Sequence, residues 1–231
     1  MEKTSHPLPF KADLHMHTCH SVDSLARVGD VLAASVKKGL GAIAITDHNE
    51  IDGASEAEAL ARKLKLSLQV IVGEEVGTDK GDLLVYFLKK RIAPGPLARV
   101  LREVKQQGAV CCAAHPYDFA RHGISLEKLP PSELAAIDAI EVFNARVTLP
   151  FQNESALLFS KKEKKPVLAG SDAHHPSEIG GAYAVFEGIS KLDKKSLLFA
   201  SRTLQGIPAS PLVHFFSRYA VLRKKISARF K

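Results

Sequence analysis

Residues 13–24 read DLHMHTCHSVDS, which places three histidines and two aspartates in twelve positions directly after an apolar run. In an extended chain alternate side chains share one face. His15 and His17 therefore point the same way and present two imidazoles side by side, half of a metal site. Whether the chain completes that site depends on what ends its other apolar runs.

Such runs recur as FKADLH, GAIAITDH, SLQVIVGEE, DLLVYFL, AVCCAAHP, AIEVFN, PVLAGSDAH and GAYAVFEG. Helix-like segments lie between most of them. RVGDVLAASVKKG sets Val28, Val31, Leu32 and Val36 at helical spacing and stops at Gly39. GASEAEALARKLK and PGPLARVLREVKQQG are rich in helix formers, the second opened by proline and closed by Gly108. LPFQNESALLFSKKEKK and DKKSLLFASRT read as two further helices. Alternating strands and helices predict an α/β protein with a parallel sheet, and seven or eight strands in 231 residues predict a closed or nearly closed barrel.

The polar residues gather at the ends of these runs. His15 and His17 end the first, Asp47 and His48 the second, Glu74 and Glu75 the third; His115 ends AVCCAA, Asn144 ends AIEVF, and Asp172 and His174 follow PVLAG. In a (β/α) barrel those ends converge on one face, where active sites sit. His15, His17, His20, His48, His115, His174 and His175, seven of the ten histidines, fall in these clusters, so one shared metal site is expected.

Composition is that of an ordinary globular chain, with 45% hydrophobic and 25% charged residues. No apolar stretch approaches the length of a membrane span, and the first residues lack the apolar core of a secretory signal. Three cysteines, two of them adjacent at Cys111 and Cys112, make no disulfide framework and read as buried reduced thiols of a cytoplasmic protein; Cys19 receives no role. Of the net charge of +7, six basic residues and no acidic ones fall between Pro211 and Lys231, leaving +1 for everything before.

DLHMHTCHSVDS, ITDHNEIDG, GEEV, AAHP and GSDAHHPSEIGG follow the order of the four motifs of the PHP (polymerase and histidinol phosphatase) superfamily. From about Phe10 to Glu187 the chain resembles a compact member similar to the TrpH-like metal-dependent phosphoesterases. The resemblance implies a single-domain distorted (β/α)7 TIM-like barrel over residues 8–210, two or three divalent metal ions, and hydrolysis of phosphate esters. Carried over residue by residue, it implies His15, His17, Asp23, His48, Glu75, His115, Asp172 and His174 as metal ligands, with Glu75 rather than Glu74 as the carboxylate and His20 as the competitor of Asp23. Relatives often carry a histidine where this chain offers Asp82, which puts a third ion in doubt. Some relatives insert a small nucleotide-holding domain, for which the 39 residues between Glu75 and His115 leave no room.

Mixed histidine and carboxylate donors suit Mn²⁺, Fe²⁺ or Zn²⁺, and a metal-activated hydroxide is the expected nucleophile. Asp47 reads equally as a group orienting an imidazole or as the cap of the next helix. Arg121 and Arg146 follow strand ends and either grip a phosphate or form surface salt bridges. His122 and His175 are candidate proton donors or simply solvent-exposed. The function expected is hydrolysis of a small phosphorylated molecule or nucleotide; the alternatives are an exonuclease on short RNA or DNA, a non-catalytic metal-binding scaffold, and an amidohydrolase, which the TDH, GEE and GSDAH elements fit poorly. Over residues 211–231, Phe215, Tyr219, Leu222, Ile226 and Phe230 form an apolar stripe at helical spacing among basic residues. The expectation is that the stripe docks on the barrel's flank, with binding of nucleic acid or acidic lipid as the alternative.

Overall fold

In the computed structural model, which describes residues 9–229, strands and helices alternate along most of the chain as the apolar runs predict. The order is β1 (Phe10–Met16), α1 (Val28–Lys37), β2 (Ala42–Ile45), α2 (Asp52–Lys63), β3 (Gln69–Thr78), β4 (Gly81–Tyr86), α3 (Leu97–Gln107) and β5 (Val110–Ala113). There follow α4 (Pro131–Ala136), β6 (Ala139–Asn144), α5 (Pro150–Glu163), β7 (Val167–Gly170), β8 (Ala182–Phe186), α6 (Lys194–Phe199), β9 (Arg202–Gly206) and α7 (Val213–Arg229). The exceptions to the alternation lie between β3 and β4 and between β7 and β8, which no α-helix separates. Phe230 and Lys231, the last members of the tail stripe and its basic set, lie outside the described residues.

The strands form one mixed sheet ordered β7-β6-β5-β4-β3-β2-β1-β8-β9. It departs from the all-parallel expectation at β4 and β8. Strand β3 runs three residues past Glu75 to Thr78 and turns back at once, with Thr78 opposite Gly81. A connection that short cannot make a parallel crossover, so β4 is antiparallel to both β3 and β5. The helix expected over DKKSLLFASRT ends at Phe199, and the last two residues of that stretch, Arg202 and Thr203, open β9, which pairs antiparallel with β8.

The sheet curls until its ends meet on β1. The first half of β1 pairs antiparallel with β8, Phe10 opposite Phe186. Its second half bonds instead to the segment after β7, where Asp172 N–H donates to His15 O at 2.7 Å and His17 N–H to Ala173 O at 2.8 Å. The barrel is thus nearly closed, split at its base by β8 and sealed at its mouth.

Alternation along the strands divides the core. Ala12, Leu14, Ala42, Ala44, Leu84, Cys112, Ala139, Leu168 and Ala184 fill the interior, largely small residues suited to a narrow barrel. Ile43, Ile45 and Val70 pack outward under α1 and α2, whereas Val85, Cys111 and Ile140 pack under α3 and α5. Cys111 and Cys112 accordingly face opposite layers, both buried. On α1 the buried face is Val28, Val31, Leu32 and Ser35, and Val36 is left in solvent.

The tail docks, but by the wrong face for the sequence expectation. Ala220 is its buried residue, and Phe215, Tyr219, Leu222 and Ile226 point away from the body. The barrel rim under the helix is polar, so polar and small side chains make the better contact: Arg146 donates to Ser217 Oγ at 3.0 Å and to Val213 O at 3.2 Å, and Lys224 donates to Cys19 O at 2.7 Å.

Closure at the mouth requires Gly170, where a Cβ would overlap the backbone and side chain of His15. Gly170→Ala should lower stability by about 1–3 kcal/mol through overpacking, read as a loss of roughly 2–10 °C in Tm; an unchanged Tm would show that β1 and β7 do not approach so closely.

Candidate metal centre

The side chains at the barrel mouth converge on Glu75. Its Oε2 lies 3.3 Å from Nε2 of both His15 and His17 and 3.1 Å from His48 Nδ1, and its Oε1 lies 2.9 Å from His115 Nε2. Asp172 Oδ1 sits 3.3 Å from His17 Nε2 and 3.6 Å from His15 Nε2. Asp23 Oδ2 sits 2.9 Å from His174 Nε2 and 3.4 Å from His48 Nε2. All eight residues expected from the sequence are therefore brought together. Seven of them, with Asp82, form three groups of donor atoms lying within 4.8 Å of one another: His15, His17 and Asp172; His17, His48 and His174; and Glu75, Asp82 and His115, with Asp23 outside these groups. Asp82 thus stands in the cluster, carried there by the antiparallel strand β4.

Hydrogen bonds behind the rings set which nitrogen faces inward. His15 Nδ1 meets Glu141 Oε1 at 3.0 Å, and His174 Nδ1 meets the carbonyl of Asp172 at 2.8 Å. A carbonyl only accepts, so in a neutral His174 Nδ1 holds the proton and Nε2 offers its lone pair to the cluster. For His17 the arrangement is a relay. Ser21 Oγ donates to Asp47 at 2.8 Å and can then only accept from His17 Nδ1, at 3.0 Å. Asp47 is fixed in turn by Thr18 N–H and Oγ1, both at 2.6 Å. Of the two roles open to Asp47, the geometry matches orientation of an imidazole through Ser21, because α2 begins at Asp52 and takes no side-chain cap from it.

Charge accumulates here. Burial alone would raise the pKa of Glu75, yet His48 and His15 overcome it and hold the carboxyl well below its usual range. Burial opposes the charged form of His48 as well, but Glu75 and Asp23 hold its pKa up at about 10. His174 goes the other way, to about 4, through burial and the neighbouring charge of His17. Two of the residues adopt the left-handed backbone region that non-glycine residues seldom enter, His115 at φ 26° and Asp172 at φ 55°. Asp23 Oδ1 and His115 Nδ1 are buried without a hydrogen-bond partner among the described residues. Carboxylate oxygens and inward-facing imidazole nitrogens at this spacing suit divalent cations; His115 turns Nε2 to Glu75, so its Nδ1 would stay outside such a site.

The remaining candidates separate. Arg121 stays at the cluster, bonded to Asp172, to Asp118 at 2.8 Å and to Asn144 Oδ1 at 3.2 Å. Arg146 does not present a free fork: it is buried, paired to Glu178 at 2.7 Å and committed to α7. His20 turns to Glu56 on α2 at 3.0 Å, away from the cluster. His122 is exposed beside Asp82, and His175 stacks on Phe216. Glu141 was not foreseen, although a carboxylate within a largely apolar strand is itself a signal; a slip in the β6–β7 ladder between Glu141 and Phe143 accompanies its place beside Asn144, whose Nδ2 donates to it at 3.1 Å. Also unforeseen were Ser21 and the contribution of α7. A cleft of about 470 Å³ opens over the cluster, and His214, Ser217 and Arg218 form part of its wall. A larger cavity of about 1040 Å³, beside Gln69, Phe87 and Lys191–Lys195, holds none of the donors.

This is the class of an α/β barrel with a histidine–carboxylate cluster at its C-terminal mouth. The PHP domain model matches residues 13–165 and the PHP-associated model residues 150–201. The uncharacterized protein MJ0417 of Methanocaldococcus jannaschii is 33% identical over 185 residues, 78% of this chain and 72% of its own length. The chain belongs to the PHP domain family. Among solved structures, PsfC of Pseudomonas syringae superposes with a TM-score of 0.67 at 17% identity, covering 92% of this chain and 98% of its own. A two-domain Bacteroides vulgatus protein containing a predicted PHP-like metal-dependent phosphoesterase superposes at 0.62 with 22% identity, covering 78% of this chain. The present chain spans only 58% of that protein.

Consecutive residues of β3 face opposite ways, and Glu74 turns from the cluster to accept a bond from Ile92 N–H at 2.8 Å. Burial raises its pKa from 4.5 to about 7, outweighing that hydrogen bond. A carboxyl with a raised folded-state pKa favours folding below its unfolded pKa and loses that contribution as pH rises through the folded value. Glu74→Gln should therefore match the parent near pH 4.5 and exceed it in Tm above pH 7. Thermal melts across that window check the sign; a variant less stable at high pH would contradict it.

Proposed function

We propose that the chain is a metal-dependent phosphoesterase hydrolysing a phosphate ester of a small molecule or nucleotide. The observation that carries this reading is Glu75, one carboxylate within 3.3 Å of four imidazoles at the floor of a cleft that also holds Arg121. His15, His17 and Asp172 would hold one ion, His48, His174 and Asp23 a second, and Glu75, His115 and Asp82 would supply donors for a third. Bound divalent ions would offset the charge of the phosphate and make an attacking water more acidic, and this donor set suits Mn²⁺, Fe²⁺ or Zn²⁺.

The chain's own residues do the positioning. Glu141 and the Ser21–Asp47 relay keep the His15 and His17 rings aimed inward, so no rotamer freedom is lost when substrate arrives. Arg121, held by Asp118, Asp172 and Asn144, sets a fixed positive charge beside the place where a phosphate would lie. The wall made by His214, Ser217 and Arg218 meets the remainder of the substrate. A cleft of about 470 Å³ accommodates a nucleotide-sized molecule.

After chelation and reconstitution the protein should bind at least two divalent ions per chain; fewer than one by elemental analysis contradicts the assignment. His48→Ala, Asp172→Ala and Glu75→Gln should each abolish hydrolysis with the fold intact by circular dichroism, and Glu74→Gln should retain it. Ser21→Ala and Glu141→Gln should weaken metal binding by about 10–100-fold. A panel of phosphomonoesters, nucleoside bisphosphates and short oligonucleotides assayed with Mn²⁺ identifies the substrate class. Turnover of oligonucleotides alone would make the chain an exonuclease, and metal binding without turnover of any member would make it a scaffold.

A further inference from the structure

Helix α7 carries its apolar residues on the side that faces solvent. Phe215, Tyr219, Leu222 and Ile226 are between 48% and 66% exposed, whereas Phe216 stacks on His175. At one residue per 100° of turn, Phe215, Tyr219, Leu222 and Ile226 fall within an arc of about 60°. Lys225 borders that arc on one side and Arg223 on the other, both exposed. Ser217, Ala220 and Lys224 lie on the opposite side and make the contacts with the barrel. The docked face and the apolar face are thus separate, and the docked one is already occupied.

We propose that the outer face of α7 is a docking surface for an anionic lipid bilayer. An aliphatic and aromatic ridge with cations along both edges matches the layered chemistry of a membrane interface: the ridge enters the acyl boundary while the basic side chains meet lipid phosphates. No acidic residue follows Asp193, whereas nine lysines and arginines do, so nothing on this segment opposes a negative surface. The same distribution disfavours a second copy of the chain, because pairing two such ridges would bring the bordering cations of both copies together with no carboxylate between them. Nucleic acid is the poorer match, since a phosphate backbone calls for cations along the centre of the contact, where this helix has Leu222 and Ile226. No described helix is long and apolar enough to cross a bilayer, so the contact is interfacial. Because the inner face of α7 walls the cleft, docking would hold the mouth of the barrel about one helix diameter, ~10 Å, from the lipid headgroups.

The chain contains no tryptophan, so Tyr219→Trp in the full chain is a single reporter. Its emission should shift to the blue with phosphatidylcholine vesicles containing phosphatidylglycerol, and sedimentation should show binding at least about tenfold tighter than to phosphatidylcholine alone. Leu222→Ser/Ile226→Ser and Arg223→Gln/Lys225→Gln should each reduce that binding about tenfold or more without moving the Tm or the metal content, since these side chains are exposed. The proposal is overturned by equal or absent binding to the two vesicle types. It is overturned as well by a reporter shift without vesicles that accompanies doubling of the molecular mass, which would indicate a second copy. Oligonucleotide binding lost in Arg223→Gln/Lys225→Gln but kept in Leu222→Ser/Ile226→Ser, with no vesicle binding, would assign the face to nucleic acid.

Discussion

A carboxylate removed from water must be compensated by charge or hydrogen bonds, and the compensation of Glu75 organises the mouth of this barrel. The group is essentially inaccessible, yet His48 and His15 keep it ionised against its burial. Those imidazoles arrive from different strands: His15 and His17 at the end of β1, His48 after β2, His115 after β5. Each strand must therefore end at one level, and the barrel must be closed enough to point all the ends inward. Asp172, Asp23 and Glu141 add further negative charge within the same small volume. A site so rich in donors would be costly as a structural device alone, because hydrophobic packing of equal volume serves stability as well or better.

The body of the molecule bears the strain that this concentration demands. His115 and Asp172 sit in the left-handed region, at about 1–3 kcal/mol each, immediately after strands whose cores are completely buried. Asp13 fastens the loop that presents Asp172 and His174, accepting from Ser171 N–H and Gly180 N–H, both at 2.9 Å. Arg146 and Glu178 form a buried pair from which α7 is hung over the cleft. The helix that walls the mouth is thereby tied to the same segment that carries two of the candidate ligands.

How much of this was legible in the sequence depended on whether the information was local. The histidines and carboxylates at strand ends were legible because each motif carries its own donors; alternation allows only one of Glu74 and Glu75 to face the cluster, and the resemblance to the family motif selects Glu75. Strand direction was not: an apolar run such as DLLVYF reads the same parallel or antiparallel, and only the tight turn before Gly81 decides it. Strand β9 escaped notice because RTLQG is only partly buried and has little apolar pattern. Glu141 and Ser21 act from behind the rings, where no spacing rule identifies them. The periodicity of α7 was correct, but periodicity names an apolar face without saying whether that face meets the protein. Here the surface beneath it is a polar rim, so the opposite face docks.

The proposed function requires divalent ions gathered around Glu75 at the ends of β1, β2, β5 and β7. Anomalous diffraction from crystals grown with Mn²⁺, recorded on both sides of the manganese edge, tests it directly. At least two manganese peaks are expected in the cluster, with Glu75, His15, His17, His48 and His115 among their ligands. Manganese bound away from Glu75, or no ordered peak at the barrel mouth at saturating metal, would contradict it.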